Sequence, residues 1–456
     1  MTLTPDNPLP PTSATASQAA ERRRALHRLY GAARSVLGAE WQQNGEVRAR
    51  VCRAGDAWLD DMARLRRAIG LGRAKQRALS WVVLGSFSGR LVACLMSSAA
   101  KKEKLAFAQI EERALSLNGR VGVAEPVRVF RKKGEKRNLI EFGPRRAALQ
   151  WMVRDVLLAL TPLAQSEYAA KGKGRDAALR RLRDELNQRD HREVVLADVK
   201  GWFPSIRIDR VCSLLPLPRS VVRGIVFIGN EEKIELGTAI LSLGADVNKD
   251  LREGLPQGSF LSPIVAAHLM SAQLKKLPCP EQAISYVDDI GAWANAKGDG
   301  QAIKHALQTC ASAHHSGPTS FKRLDVIPMG STSKKAHYLG YQLRVGEDGM
   351  IRIVPTARSI RKFKRKLSAR LKSVPYDDLP QVAGQMAISF RASQGAWDFN
   401  DDAAQLFEIQ IQTEVSAEKF RRASVKFLKK GKSGTKPLGL APLLALMKGH
   451  QGQLMA

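Results

Sequence analysis

Three carboxylates stand where they could hold cations. Asp198 ends the apolar run Val194-Val195-Leu196-Ala197, and Asp288 and Asp289 fall in Tyr286-Val287-Asp288-Asp289 between two further apolar runs. An acidic pair in a solvated turn usually keeps polar company. Apolar residues on both sides instead predict a β-hairpin with the pair at its tip. A strand that ends in a carboxylate, beside a hairpin presenting two more, makes a strongly negative pocket. Magnesium suits such a pocket, because it takes hard oxygen ligands and keeps positions for water and phosphate. Two such ions perform in-line phosphoryl transfer, one activating the attacking hydroxyl and the other stabilising the leaving pyrophosphate.

The elements that must position these acids are legible around them. Residues 127–130 and 138–142 read as two strands, joined by the basic turn Arg131-Lys132-Lys133-Gly134-Glu135-Lys136-Arg137. A helix is expected over 145–160, and a basic, Gly-containing loop over 168–176. The Gly/Pro/Ser segment 254–263 leads into a helix to about residue 274. Residues 337–345 read as one strand, with 350–354 able to pair with it across Gly346-Glu347-Asp348-Gly349.

The flanks look helical. Between residues 21 and 115, apolar residues recur at helical spacing, as in Trp58, Leu59, Met62, Leu65 and Ile69. After Pro355, the residues Ile360, Phe363, Leu367 and Leu371 form one apolar stripe, and Arg361, Lys362, Lys364, Arg365, Lys366 and Arg370 cover much of the remainder. Residues 1–20, rich in Pro, Thr, Ser and Ala, are expected to lack structure and carry no secretory-signal pattern. His314-His315 invites a metal reading, but adjacent side chains on a helix diverge, and a surface role is expected.

Charge points to the partner. The 456 residues carry 73 Lys and Arg against 43 Asp and Glu, a formal net charge of +30. An excess of that size, spread along the chain, predicts a polyanion bound through counterion release. The most apolar stretch, 79–96, is interrupted by Ser, Gly and Arg90, so no membrane span and no membrane partner are expected. The cysteines at 52, 94, 212, 279 and 310 form no Cys-x-x-Cys pair, which argues against zinc or a disulfide framework and suits a reducing cytoplasm.

Four motifs in order carry a resemblance. Asp198-Val199-Lys200-Gly201-Trp202-Phe203 is followed by Gly254-Leu255-Pro256-Gln257-Gly258-Ser259-Phe260-Leu261-Ser262-Pro263, then Tyr286-Val287-Asp288-Asp289, then Tyr338-Leu339-Gly340-Tyr341. In this order they resemble motifs A, B, C and E of reverse transcriptases, over roughly residues 127–345. The resemblance implies an α+β right-hand polymerase. Its expected parts are a disordered tail (1–20), a helical N-terminal region (21–115), fingers and palm built on antiparallel sheet with helices (116–355), and a basic helical thumb or C-terminal region (356–456). It implies two Mg2+ ions, with Mn2+ as an alternative, on Asp198, Asp288 and the Val199 carbonyl, supported by Asp289. It implies that Phe203 is the ring excluding a 2′-hydroxyl, and that Gln257 and Gly258 touch the incoming nucleotide and its template base. Arg137, with Lys132 or Lys133, would grip the triphosphate. Lys322 would protonate the leaving pyrophosphate, and Tyr338 to Tyr341 would grip the primer. The segment 316–325 around Lys322 departs from the family's usual wording.

The expected activity is RNA-directed DNA synthesis from deoxynucleoside triphosphates, with an RNA template, a DNA product, and a homo-oligomer left open. The compact size and single polymerase unit resemble bacterial reverse transcriptases of the retron, abortive-infection and defence-associated groups, and the wording of the 254–263 segment suits the defence-associated group better than group II introns, which implies anti-phage defence with a non-coding RNA. No protease, integrase, HNH or RNase H pattern is read in the chain. Two alternatives stay open: template-independent or protein-primed synthesis at the same site, and an RNA-binding scaffold without catalysis.

Overall fold

Helical spacing of apolar residues produces six helices before the first strand: α1 (Ser13–Leu37), α2 (Ala39–Gln43), α3 (Gly45–Arg67), α4 (Arg73–Leu84), α5 (Phe87–Ala100) and α6 (Phe107–Leu115). The computed structural model describes residues 13–131, 138–169, 173–189, 192–229, 232–237, 251–296, 298–314, 316–393, 395–398, 409 and 411–422. Helix α1 therefore starts inside the stretch expected to lack structure. In α3, Val47, Val51, Ala54, Trp58, Met62 and Leu65 form the buried stripe, whereas Ile69 lies beyond the helix end and is exposed. The Asn44 side chain accepts the N–H groups of Glu46 and Val47, the capping that orphan amides at a helix start require. Helices α3 and α5 approach closely at Gly89, where a Cβ would lie 2.4 Å from the Trp58 ring.

No single described helix is long and apolar enough to cross a membrane. Helices α4 and α5 pass that test only as a pair, and they are bent by 73° from each other. Leu91 to Leu95 of α5 are buried in the protein core, which accounts for their apolar character.

The chain divides into two units, Met1–Lys334 and Lys335–Ala456. The first contains two sheets. One has the order β2-β1-β4, from β1 (Val127–Phe130), β2 (Leu139–Phe142) and β4 (Ile234–Leu236), with β1 and β2 antiparallel and β1 and β4 parallel. Arg131 closes the base of the β1–β2 hairpin by donating to the Asn138 side chain at 2.7 Å. Beside this sheet, α7 (Pro144–Leu160) begins with a buried Arg146 that donates to Glu232 and to the Phe227 carbonyl. Burial pushes the Glu232 carboxyl up to about 7 against the pull of Arg146.

The second sheet is antiparallel throughout, in the order β5-β6-β3-β7, from β3 (Glu193–Val199), β5 (Ala283–Tyr286), β6 (Asp289–Trp293) and β7 (Phe321–Pro328). Strand β3 lies between β6 and β7, and its residues 194–197 are fully buried. Burial on both faces explains why this strand reads as an unbroken apolar run rather than an alternating one. Val195 and Ala197 share one core with Leu269, Met270 and Leu274 of the Ser262–Leu274 helix and Leu307 of the Asp299–Ser312 helix. Trp293, opposite Val194, carries Arg181 and Arg189 over its ring. Arg181 belongs to α8 (Gly174–Asn187), so this helix serves the other face.

The second unit holds the sheet β10-β9-β8, from β8 (Lys335–Tyr338), β9 (Tyr341–Val345) and β10 (Ile351–Pro355). The single strand expected over 337–345 is broken at Leu339 and Gly340. Both have positive φ, and Tyr338 pairs with Tyr341 across them. That is the pattern of a type I′ hairpin turn, whose twist matches the flanking strands. The helix Ala357–Leu371 buries Phe363, Leu367 and Leu371 of the expected stripe against Leu379, Ala383, Ala387, Ile411 and Val415. The fold is mixed α+β, with several small sheets among many helices.

Candidate active site

The register between β3 and β6 sets Asp198 directly opposite Asp289. Opposed residues in an antiparallel pair project to the same face, with Cβ atoms about 5 Å apart. Only Val287 and Asp288 separate the paired residues Tyr286 and Asp289, so the acidic pair spans the end of a two-residue hairpin turn. The Val199 N–H donates to the Asp288 carbonyl at 3.2 Å and ties that turn to the end of β3. On the other side of β3, the register jumps from Asp198 opposite Arg323 to Val199 opposite Phe321. Lys322 is left over as the bulged residue, and bulges re-aim side chains in this way. Its ammonium donates to Asp198 Oδ2 at 3.1 Å.

Four sequence-predicted residues, Asp198, Asp288, Asp289 and Lys322, thus meet at one end of one sheet. Their charges act on each other. Burial pushes the Asp289 carboxyl up to about 6, and the negative charges of Asp288 and Asp198 push the same way against Arg323 and Lys322. Among the described residues, no three His, Cys, Asp or Glu side chains form a ready metal-ligand cluster. The positive charge that Asp198 meets here is the Lys322 ammonium, which is mostly exposed.

The turn itself is unusual. Val287 has φ 63° and is buried. A positive φ at the first central position is shared with type II′ turns, where glycine is usual. For a β-branched residue it is an outlier, costing on the order of 1–3 kcal/mol. Sequence reading gave no hint of what holds it. The Val287 N–H donates to Oε1 of Glu167 at 3.3 Å, and the Ser285 hydroxyl donates to Oε2 at 2.8 Å. Glu167 precedes the basic 168–176 loop, and nothing in its sequence neighbourhood marks it, because its partners on the hairpin lie more than a hundred residues away.

The 254–263 segment packs against the predicted residue Phe203 and against strand β2. The Leu255 N–H donates to the Phe203 carbonyl at 2.9 Å, and the half-buried Phe203 sits on α9 (Trp202–Ser205), the helical turn that follows β3. Gly258 has φ 116°, and a Cβ there would lie 2.1 Å from the Ile140 carbonyl oxygen. The close approach expected at Gly258 is therefore one to β2, reinforced by the Ile140 N–H donating to the Gln257 carbonyl at 2.7 Å. Ser259 shapes the turn, its hydroxyl accepting from the Leu261 N–H at 3.0 Å.

Lys132, Lys133 and Arg137 lie outside the described residues. In the second unit the rings of Tyr338 and Tyr341 are buried, so only Leu339 and Gly340 at the turn offer surface. The surface role expected for His314 is corrected. It is 6% exposed, its ring stands edge-on to Trp202, and its Nδ1 lies 2.6 Å from the Ser316 hydroxyl. Packing satisfies it inside the fold, whereas His315 lies outside the described residues.

No protein-family model matches the chain, and no curated protein matches it. Among solved structures, telomerase from Candida albicans, in complex with a fragment of telomeric RNA, is similar with a TM-score of 0.34 and 10% sequence identity. The alignment covers 66% of this chain and 59% of that one, so the chain spans less than two thirds of the neighbour's length. A likeness of this strength assigns no function.

Proposed function

We propose that the chain is an RNA-directed DNA polymerase. The observation that carries the reading is the β3–β6 register, which puts Asp198 and Asp289 on one face beneath the turn that carries Asp288. The order of the four motifs along the sequence supports it independently.

The donor set fits magnesium. The carboxylates of Asp198 and Asp288 and the carbonyl of Val199 are hard oxygen ligands, and burial together with the charges of Asp288 and Asp198 pushes the Asp289 carboxyl up, a push that a cation would offset. Magnesium, when bound, would supply charge neutralisation and activation of the attacking hydroxyl. Asp289 would lend negative charge from the neighbouring position. Lys322, already in reach of Asp198, would turn to the leaving phosphate and give it a proton. Phe203 would exclude a 2′-hydroxyl, and Gln257 and Gly258 would flank the incoming base. The net charge of +30 suits an RNA template and its DNA product, held by phosphate and shape. We place it with bacterial defence-associated enzymes working on a non-coding RNA in the cytoplasm, on the wording of the 254–263 segment.

Primer extension tests the reading. Purified protein with an RNA template, a primer, deoxynucleotides and Mg2+ should incorporate label, and Asp198→Asn or Asp288→Asn should lower the rate on the order of a thousandfold. Equal incorporation by the Asn variants would refute the assignment. Label that migrates with denatured protein until proteinase treatment would favour the protein-primed alternative.

A further inference from the structure

The geometry points to Glu167 as a positioning residue that holds the Val287–Asp288 turn in shape and thereby aims the Asp288 carboxylate. This rests on the reading of Asp288 as a metal-binding acid. Glu167 is fully buried, and the Lys173 ammonium acts on its charge through space. A buried carboxylate is costly unless its oxygens are satisfied by hydrogen bonds. Here they are: one donor, the Val287 N–H, lies in the turn, and one, the Ser285 hydroxyl, lies on the strand that leads into it. Oε1 accepts from the Ala169 N–H at 2.7 Å and the Val287 N–H at 3.3 Å, and Oε2 accepts from the Ser285 hydroxyl at 2.8 Å.

The backbone around Glu167 is fastened to the same strand. The Tyr168 N–H donates to the Ser285 carbonyl at 2.7 Å, and the Ser285 N–H donates to the Ser166 carbonyl at 2.8 Å. Glu167 thus forms a parallel bridge with Ser285 at the outer edge of β5. A residue meant only to fill space at that edge would be apolar. A side-chain acceptor is required because the amide of Val287, in its left-handed conformation, donates to the outer side of β5 and needs an oxygen there. The acceptor fixes Val287, and Val287 fixes the direction in which the next residue leaves the turn.

The test uses the full chain and three variants. Glu167→Ala removes all three hydrogen bonds, Glu167→Gln keeps an oxygen for the two amides, and Ser285→Ala removes only the Oε2 bond. Hydrogen exchange of a peptide spanning 285–289 should speed up about tenfold in Glu167→Ala, as expected for loss of a buried hydrogen bond, while peptides from β3 and β7 keep their protection. Mn2+ binding, read by the paramagnetic resonance of the free ion, should weaken roughly 10- to 100-fold, the usual effect of losing a group behind a ligand. In primer extension kcat should fall with the deoxynucleotide KM unchanged, and Glu167→Gln should recover most of each loss. Should Glu167→Ala fail to fold, Ser285→Ala reads the same peptide with a smaller change. Wild-type protection at 285–289 in both Glu167→Ala and Ser285→Ala would overturn the proposal, as would loss of protection spread evenly over the chain. A wild-type protein that neither binds Mn2+ nor incorporates label would instead defeat the polymerase reading, and the exchange pattern would still decide whether Glu167 holds the turn.

Discussion

Two hairpins of this chain turn in two residues, and they do it in opposite ways. Between β8 and β9 the turn is Leu339-Gly340, with positive φ at both positions and glycine at the second. Between β5 and β6 it is Val287-Asp288, with a buried β-branched residue held at φ 63°. The first follows ordinary turn chemistry and needs no help. The second violates it and is propped by a buried glutamate more than a hundred residues away. Strain of this kind persists only where the surroundings over-determine it, and here it sits beside three acids that repel one another. The contrast separates a turn built for stability from a turn built to present a side chain.

Perturbing the charge beside the strained turn gives the largest expected pH-dependent effect on stability. The folded-state carboxyl of Asp289 titrates at about 6, above its ordinary 3.8. A raised acid favours the folded state fully below the ordinary value, and that favour is lost as pH rises through about 6. Asp289→Asn should therefore stabilise the metal-free protein above pH 6 and make no difference below pH 4. Discounted for partial exposure, the gain at pH 7.5 is about 1–2 kcal/mol, read by urea unfolding at the two pH values. A gain that does not change with pH would remove the electrostatic account.

The relaxed turn offers the next test. At Gly340 a Cβ would meet nothing within 4 Å, so Gly340→Ala isolates the backbone term. It should cost about 1–2 kcal/mol. A neutral result would mean the two turns differ less than their φ values suggest.

The smallest effect is expected at the strained position. Val287→Gly relieves about 1–3 kcal/mol of strain and forfeits about 1.5–3 kcal/mol of apolar burial, leaving a net change within about 1 kcal/mol. Val195→Gly, fully buried in regular β3 of the same sheet, has no strain to relieve and should cost several kcal/mol. Equal losses at the two sites, measured by thermal unfolding, would show that Val287 stores no strain.

Much of the site could be read directly from residues. The β3 run and the hairpin around Asp288 were legible because apolar strands bounded by acids leave a local pattern, and the 254–263 loop because Gly, Pro and Ser punctuate it. What could not be read depends on contacts between distant segments. Glu167 acquires its partners only once residues 166–168 lie along β5, and Lys322 reaches Asp198 through a bulge that no local spacing announces. His314 was misjudged because its neighbours in sequence say nothing of Trp202. The break at Leu339-Gly340 was missed because a lone Leu-Gly pair is a weak turn signal beside two tyrosines that favour strand.

The missing side chain of Gly258 has a mechanical consequence. With the Ile140 carbonyl pressed into the space a Cβ would fill, and the Ile140 amide bonded to the next carbonyl back, strand β2 and the loop at 257–258 are geared together. Any swing of the hairpin that ends in β2 must drag that loop along. On the polymerase reading proposed above, β2 and this loop would respond to a bound nucleotide together rather than in turn.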